Sequence, residues 1–186
     1  SGIGHRVAER LLETYQVSVV ARRAERLKDL QTLGALAFAA DVATIDAIPD
    51  LVRDVVAARG PLSALVYCAG LQRLKPLRGM SPADVKALYT VNLLAPTVFA
   101  TQFASRRVSH EDAIFCAVSS IAAERPEPGI VAYSAAKAGL RNLIGGMARE
   151  LGPRRVVGVA PGWVDTEMTR AFPHIYDDAF RERLAK

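Results

Sequence analysis

The chain has 186 residues, of which 51% are hydrophobic and 23% charged, and its formal net charge is +5. This length and apolar fraction predict a single globular domain over 1–186 and exclude a chain that is mainly disordered. Two cysteines, Cys68 and Cys116, are too few for a disulfide scaffold. No apolar run approaches about 20 residues and no signal peptide opens the chain, so we expect no membrane segment and a cytoplasmic location.

The positive charge is scattered along the chain. Arginine doublets occur at Arg22-Arg23, Arg106-Arg107 and Arg154-Arg155, and only 6% of residues are aromatic. A nucleic-acid surface would need clustered cations with aromatic side chains for base stacking, so we expect no nucleic-acid partner. A small phosphorylated ligand needs only one or two of these arginines and fits the charge better.

In chain order, short aliphatic runs alternate with longer amphipathic segments. The predicted strands are Val17–Ala21, Ala35–Ala40, Ala64–Tyr67, Ala113–Ser119 and Arg155–Ala160. The predicted helices are Gly4–Glu13, Ala24–Leu33, Ile45–Arg59, one that begins at the N-cap Ser81, a second through about Arg107, Tyr133–Leu151, and one more near the end. Because the strands are continuous apolar runs, they predict an α/β fold with a doubly wound parallel sheet between two helical layers.

Tyr133 and Lys137 lie four residues apart on a predicted helix and therefore share a face. An unperturbed phenol has a pKa of about 10, too high for acid/base catalysis at neutral pH. A cation about 4 Å away favours the phenolate by about 4 kcal/mol at an effective dielectric constant of about 20. The pair is suited to proton transfer, although such a pair is also common on exposed helix faces.

Three further features are informative only in combination. Ser119 and Ser120 end a predicted strand, where a hydroxyl can hold a substrate oxygen or simply cap the strand. Gly2 and Gly4 at a helix start can bring backbone N–H groups to a phosphate, or form a tight turn. Arg22 follows a predicted strand, where it suits a ribose 2′-phosphate or is an ordinary surface arginine.

Taken in order, these residues resemble the short-chain dehydrogenase/reductase family over nearly the whole chain. The resemblance includes a catalytic tetrad at Asn92, Ser120, Tyr133 and Lys137, in which the spacing to Tyr133 selects Ser120 over Ser119. The cofactor segments that resemble the family's are Ser1-Gly2-Ile3-Gly4, Asp41-Val42, Ala69-Gly70 and Pro161-Gly162-Trp163-Val164-Asp165-Thr166.

The resemblance implies a Rossmann-like fold and hydride transfer between a nicotinamide cofactor and a small carbonyl or secondary alcohol substrate. Tyr133 would exchange a proton with the substrate oxygen, and Ser120 would hold that oxygen. Lys137 would bind the nicotinamide ribose and lower the pKa of Tyr133, while Asn92 would hold a water. The family needs no metal, and His5, His110 and His174 are isolated in the sequence.

The segment Val20-Ala21-Arg22-Arg23 has no acidic residue to bind a ribose diol, whereas Arg22 can pair with a 2′-phosphate. We therefore expect NADP(H), with NAD(H) as the alternative. By the same resemblance, the small residues of the long helix predict a homodimer or homotetramer through helix packing. These residues are Ala135, Ala136, Ala138, Gly139, Gly145 and Gly146.

The sequence departs from the family pattern in two ways. The family's first strand and last strand have no counterpart, so we expect a sheet incomplete at both ends, with a gap between two strands, in a piece of a longer protein. The alternative is a chain that folds alone with a rearranged sheet. In addition, Tyr67-Cys68 replaces two asparagines before Ala69-Gly70, and a thiol is a weak hydrogen-bonding group.

Other functions stay open. A 3-oxoacyl reductase acting on carrier-bound chains would use a basic surface made of Arg73, Lys75, Arg78, Arg106 and Arg107. A cofactor-binding sensor without turnover, or an inactive fragment, is a further alternative. Met168, Phe172 and Ile175 predict an apolar lid, which suits many ketones and does not identify the substrate.

Overall fold

The computed structural model describes residues 2–171. In this part of the chain, every strand pairing is parallel. The strands are β1 (Ser18–Ala21), β2 (Leu36–Ala39), β3 (Leu62–Tyr67), β4 (Ser109–Val118) and β5 (Arg155–Val159). The helices are α1 (Gly2–Leu12), α2 (Lys28–Thr32), α3 (Ile48–Arg59), α4 (Pro82–Tyr89), α5 (Ala95–Phe103), α6 (Val131–Glu150) and α7 (Glu167–Arg170). The predicted alternation of strands and helices and the parallel pairing are confirmed.

The strands form two separate ladders. β1 pairs with β2, with Val19 opposite Ala37, while β4 lies between β3 and β5. Within the described residues no ladder joins β1 to β3, as the predicted gap requires. One edge of each of these strands therefore keeps backbone donors and acceptors that no neighbouring strand pairs.

Each ladder has its own apolar core. The larger core lies between β3, β4 and β5 and the helices α3, α5 and α6, and in it Phe103 meets Phe115 edge-on with ring centres 5.4 Å apart. The smaller core joins α1 and α2 to β1 and β2 through Ala8, Val19 and Leu30. Burial of apolar area at about 25 cal/mol per Å² makes these two cores the main source of stability.

The helices begin and end where their terminal residues favour it. The Ser81 Oγ accepts a hydrogen bond from the Asp84 N–H at 3.1 Å, which confirms Ser81 as the N-cap of α4. Gly60, with φ of 78°, ends α3 in a conformation that side chains disfavour. Short 3₁₀ turns at Ala24–Leu27 and Ile45–Ala47 precede α2 and α3, in place of the longer α-helices that the sequence predicted.

The region after Ser81 differs from the prediction of two helices. The chain is helical without interruption over 82–103, and a wide π-helical turn at Thr90–Leu94 connects α4 to α5. Pro96 supplies a reason, since it has no N–H to donate to the Asn92 carbonyl in the α-helical pattern. Such turns concentrate at functional sites. The helix also ends earlier than predicted, at Phe103 rather than near Arg107.

Gly139 allows α6 to pack closely against this turn. A Cβ atom at Gly139 would lie 2.9 Å from the Leu93 Cδ2, whereas one at Gly145 would meet nothing within 4 Å. We expect Gly139→Ala to lower the unfolding free energy by about 1–2 kcal/mol through overpacking. In the same helix, Gly145→Ala should raise the unfolding free energy of the monomeric chain by about 1 kcal/mol through helix propensity. Urea unfolding measures both, and equal stabilisation by both substitutions would contradict close packing at Gly139.

Candidate functional site

The predicted site residues gather at one edge of the larger sheet. The segments that follow β3, β4 and β5 begin at Cys68, Ser119 and Ala160. Because the strands are parallel, these three segments leave the sheet at the same edge, where ligands bind in open α/β folds.

Lys137 is a buried cation at this edge, with 3% of its surface exposed. Its Nζ donates a hydrogen bond to the Val118 carbonyl at 2.8 Å, and it lies 5.8 Å from the ring centre of Tyr133. Burial disfavours the charged form and lowers the pKa of Lys137 to about 8. The sequence did not reveal the contact with Val118.

Tyr133 is also buried, with 9% of its surface exposed, and it packs with Leu88 and Ala122. The interpretation of Tyr133 and Lys137 as an exposed helix pair is therefore wrong. Helical spacing places both side chains on the inner face of α6, where the cation and the phenol share a desolvated environment.

The two serines after β4 have different partners. Ser119 is buried, and its Oγ donates to the Lys137 carbonyl at 3.3 Å, so the proton of this hydroxyl is used in a hydrogen bond to the backbone of α6. The Ser120 Oγ accepts a hydrogen bond from the Ala122 N–H at 3.1 Å, which leaves the Ser120 hydroxyl proton available to another acceptor. This difference favours Ser120 over Ser119 as a substrate-binding group.

Asn92 lies in the π-helical turn and is fully buried. Its Nδ2 donates to the carbonyls of Leu71 at 2.7 Å and Leu88 at 2.9 Å, and its Oδ1 accepts from the Leu71 N–H at 3.3 Å. Asn92 thus ties the loop after β3 to α4. Sequence reasoning missed this clamp because the backbone groups of Leu71 lie 21 residues away.

Gly70 marks the point where several of these groups meet. A Cβ atom at Gly70 would lie 3.5 Å from the Asn92 Oδ1, 3.8 Å from the Met168 Cε and 3.9 Å from the Lys137 Nζ. Glycine therefore keeps a small space open between the amide, the thioether and the ammonium group. Met168, predicted as part of a lid, lies at this junction, whereas Phe172 and Ile175 fall outside the described residues.

The start of α1 approaches the same edge. Gly2 has φ of 57°, and a Cβ atom there would lie 3.5 Å from the Thr166 Cγ2. A Cβ atom at Gly4 would lie only 3.0 Å from the Cys68 Cβ. Burial raises the pKa of the Cys68 thiol to about 11, so this thiol stays protonated at neutral pH. Ile3 lies between the two glycines in α1, and Ser1 falls outside the described residues.

The remaining predicted cofactor residues form two groups. Near the smaller sheet, the Arg22 Nη1 lies 3.9 Å from the Asp41 Oδ2, and Val42 packs against the larger core. After β5, the Pro161 carbonyl accepts a hydrogen bond from the Ile121 N–H at 3.1 Å, which joins this loop to the one that carries Ser120.

Thr169 fixes the end of this second loop. Its Oγ1 accepts from the Thr166 N–H at 2.9 Å and donates to the Val164 carbonyl at 2.9 Å.

In residues 2–171, no helix is long and apolar enough to cross a membrane. No group of three or more His, Cys, Asp and Glu side chains suited to a metal ion occurs over this same range.

Comparison with known proteins places this geometry in a family. The family model described as short chain dehydrogenase matches residues 1–176. Gluconate 5-dehydrogenase of Gluconobacter oxydans is 32% identical over an alignment that covers 100% of this chain and 75% of the relative.

Two solved structures share the fold. A metagenomic short-chain oxidoreductase in complex with NADP is 34% identical, with a TM-score of 0.81 over 88% of this chain and 79% of its own. A 4-hydroxyisoleucine dehydrogenase complexed with NADH is 25% identical, with a TM-score of 0.88 over 99% of this chain and 77% of its own. The chain therefore belongs to the short-chain dehydrogenase/reductase family of oxidoreductases and has its Rossmann-like αβα fold.

Proposed function

We propose that this protein transfers a hydride between NADP(H) and a carbonyl or secondary alcohol, with Tyr133 as the general acid/base. The observation that carries the proposal is the burial of Tyr133 and Lys137 side by side on α6, at the sheet edge where Ser120 follows β4. A buried phenol beside a buried ammonium group has no evident structural purpose, because burying a charge disfavours folding.

The residues at this edge fit a nicotinamide cofactor. Gly70 keeps open a space that a Cβ atom would fill, lined by Asn92, Met168 and Lys137. Gly2 begins α1, where free backbone N–H groups and the helix dipole favour a phosphate. When bound, the cofactor supplies or accepts the hydride.

The residues of the chain would then handle the proton and the substrate oxygen. In the reductive direction the Tyr133 hydroxyl donates its proton to the carbonyl oxygen, and in the oxidative direction the Tyr133 oxygen takes the proton from the alcohol. The Ser120 hydroxyl, with its proton uncommitted, donates to the same oxygen and fixes its position. The Lys137 ammonium favours the phenolate form of Tyr133 and is available to ribose hydroxyls, while Asn92 keeps the loop at Gly70 in place.

The preference for NADP(H) over NAD(H) is supported by Arg22. Its side chain is 69% exposed, and its ion pair with the Asp41 carboxylate is long, at 3.9 Å, so a ribose 2′-phosphate can reach the guanidinium and compete with Asp41 for it. The related solved structures include one with NADP and one with NADH, so the family alone does not decide the cofactor.

An acidic carrier as substrate has weaker support. Arg73 and Lys75 both pair with Asp84, and Arg106 approaches Glu111 at 3.8 Å. The Arg106-Arg107 doublet also follows α5 and precedes β4, so it lies at the amino edge of the sheet, away from Tyr133. The five predicted cations therefore do not form one surface at the site, and we favour a small free substrate.

Assembly through α6 is part of the proposal. Gly145 and Gly146 are exposed, and a Cβ atom at either would meet nothing within 4 Å in the described chain. A partner helix could therefore approach this part of α6 closely, as a homodimer or homotetramer of the family would require.

The first test removes one hydroxyl. Tyr133→Phe should lower the rate of ketone reduction with NADPH by at least about a hundredfold, because the proton donor is lost while the buried ring remains. NADPH affinity should stay within about twofold. Tyr89→Phe, in the same apolar cluster, is the matched control and should keep its activity. Full activity of Tyr133→Phe would contradict the mechanism, and no turnover by the unmodified chain on any ketone would favour a sensor.

The second test follows the pKa of Lys137. Its pKa is about 8 in the folded chain, below the ordinary 10.5, so between these values the unfolded state binds a proton that the folded state has lost. Stability due to Lys137 therefore rises with pH across this window.

Lys137→Met removes this dependence. We expect the stability advantage of Lys137→Met to be largest below pH 8 and to shrink by roughly 2–3 kcal/mol as pH rises to 10.5. Urea unfolding of both proteins at several pH values measures this difference. A difference that is independent of pH would show that the ammonium group is not desolvated.

The third test concerns cofactor choice. Arg22→Ala should weaken NADPH binding by about tenfold or more, the scale of a charge-assisted hydrogen bond, and leave NADH binding within about twofold. Arg10→Ala, which removes another exposed ion-paired arginine, should change neither affinity. An equal loss of affinity for NADPH and NADH, or no loss for either, would show that Arg22 does not bind the 2′-phosphate.

A further inference from the structure

We propose that Glu167 is a specificity-determining residue, which competes with the ribose 2′-phosphate for the arginines that follow β1. This inference rests on the proposed NADP(H) preference and adds a residue to it. Glu167 is the first residue of α7, and the next residue, Met168, lies beside Gly70. The same short helix therefore contacts both the arginines after β1 and the space at Gly70.

The carboxylate of Glu167 is shared by two guanidinium groups. The Arg26 Nη1 donates to the Glu167 Oε1 at 2.9 Å, and the Arg23 Nη2 lies 3.7 Å from the Glu167 Oε2. Arg23 and Arg26 come from the turn that follows β1, whereas Glu167 comes 141 residues after Arg26. This is a tertiary contact between the turn after β1 and the first residue of α7.

The contact lies beside the arginine assigned to the 2′-phosphate. Arg22 directly precedes Arg23, and its own carboxylate neighbour is Asp41. Each of Arg22, Arg23 and Arg26 therefore already faces a carboxylate. A ligand phosphate must compete with these carboxylates, and neutralising any of them frees positive charge for the phosphate.

The ion pair between Arg26 and Glu167 is weak enough for a phosphate to displace the carboxylate. The side chains of Arg26 and Glu167 are 46% and 54% exposed, and ion pairs between exposed side chains contribute little to stability because water screens their charges. A phosphate monoester carries a charge of about −1.5 to −2 and three acceptor oxygens, against a single charge on Glu167. The carboxylate therefore reduces affinity for the phosphate without blocking the site.

Displacement of the Glu167 carboxylate would also affect Met168 and the space at Gly70. Asp165 holds Arg170 through two hydrogen bonds of 2.7 and 2.8 Å, which tie α7 to the loop that precedes it, whereas the ion pairs of Glu167 tie α7 to the turn after β1. Met168, in the same helix, is the residue whose Cε lies beside Gly70. A phosphate that takes Arg26 from Glu167 would loosen the hold on α7 and on Met168, and the coupling is reciprocal.

Two small probes separate the phosphate from the rest of the cofactor. Adenosine 2′,5′-bisphosphate carries the 2′-phosphate and 5′-AMP does not. By calorimetry, Glu167→Gln should bind adenosine 2′,5′-bisphosphate about threefold more tightly than the unmodified chain does, with 5′-AMP unchanged. Glu167→Lys should increase this discrimination further. Glu13→Gln is the matched control, because Glu13 is 56% exposed and pairs with Arg10 at 2.7 Å, and it should change neither affinity.

Hydrogen exchange supplies a readout that a purely structural role would not produce. In the unmodified chain, adenosine 2′,5′-bisphosphate should accelerate amide exchange over 167–171, and 5′-AMP should not. In Glu167→Gln the exchange of this segment should already be fast and should not respond to either probe.

The outcomes distinguish this inference from the function on which it rests. If the unmodified chain binds both probes equally, or binds neither, the NADP(H) preference is wrong and the role of Glu167 is overturned with it. If the unmodified chain prefers adenosine 2′,5′-bisphosphate but Glu167→Gln keeps or weakens that preference, only the role of Glu167 is overturned. Tighter binding of the bisphosphate alone, with faster exchange over 167–171, supports it.

Discussion

The burial of the Lys137 ammonium group is the constraint on which the site depends. A desolvated cation destabilises the fold unless neighbouring dipoles compensate it, and here the Val118 carbonyl at 2.8 Å is such a dipole. That carbonyl is available because β4 ends at Val118 and the chain turns away at Ser119. The position of Lys137 is therefore set by the end of a central strand, and Tyr133 follows because both belong to one turn of α6.

The same edge explains how residues far apart in sequence meet. In a parallel sheet, the loops that follow the strands all lie at the same edge. Gly70, Ser120 and Pro161 therefore come together although no local sequence pattern links them. Asn92 is different, since it reaches this edge from within a helix. The π-helical turn rotates the helix locally, and the Asn92 amide then bonds both backbone groups of Leu71.

Local chemistry made part of this structure predictable. Continuous apolar runs identified the five described strands, the Ser81 cap identified the start of α4, and the spacing of Tyr133 and Lys137 identified their shared face. Each of these signals lies within a few residues. The start of β4 was missed, because Ser109 pairs opposite Leu62 through a polar segment that has no apolar pattern.

Contacts between distant side chains and backbone groups were not predictable. Nothing near Asn92 in the sequence indicates that Leu71 is its partner, and nothing near Glu167 indicates Arg26. The wide turn at Thr90–Leu94 was also missed, although Pro96 offered a signal, because a proline inside a helical pattern usually predicts a helix start or a kink. These features depend on how the elements pack, which periodicity does not encode.

The two ends of the site are stabilised by different kinds of interaction, and this difference has a functional consequence. At the Tyr133 end, buried hydrogen bonds hold Lys137 and Asn92, and breaking them would leave polar groups without partners in a dry environment. At the Arg22 end, exposed ion pairs can exchange partners at little cost because water solvates the separated charges. A rigid end suits the alignment of a proton donor, and an exchangeable end suits the recognition of a charged ligand. Glu167 lies at the exchangeable end but belongs to the helix whose Met168 reaches the rigid one, so α7 is the element through which recognition can influence alignment.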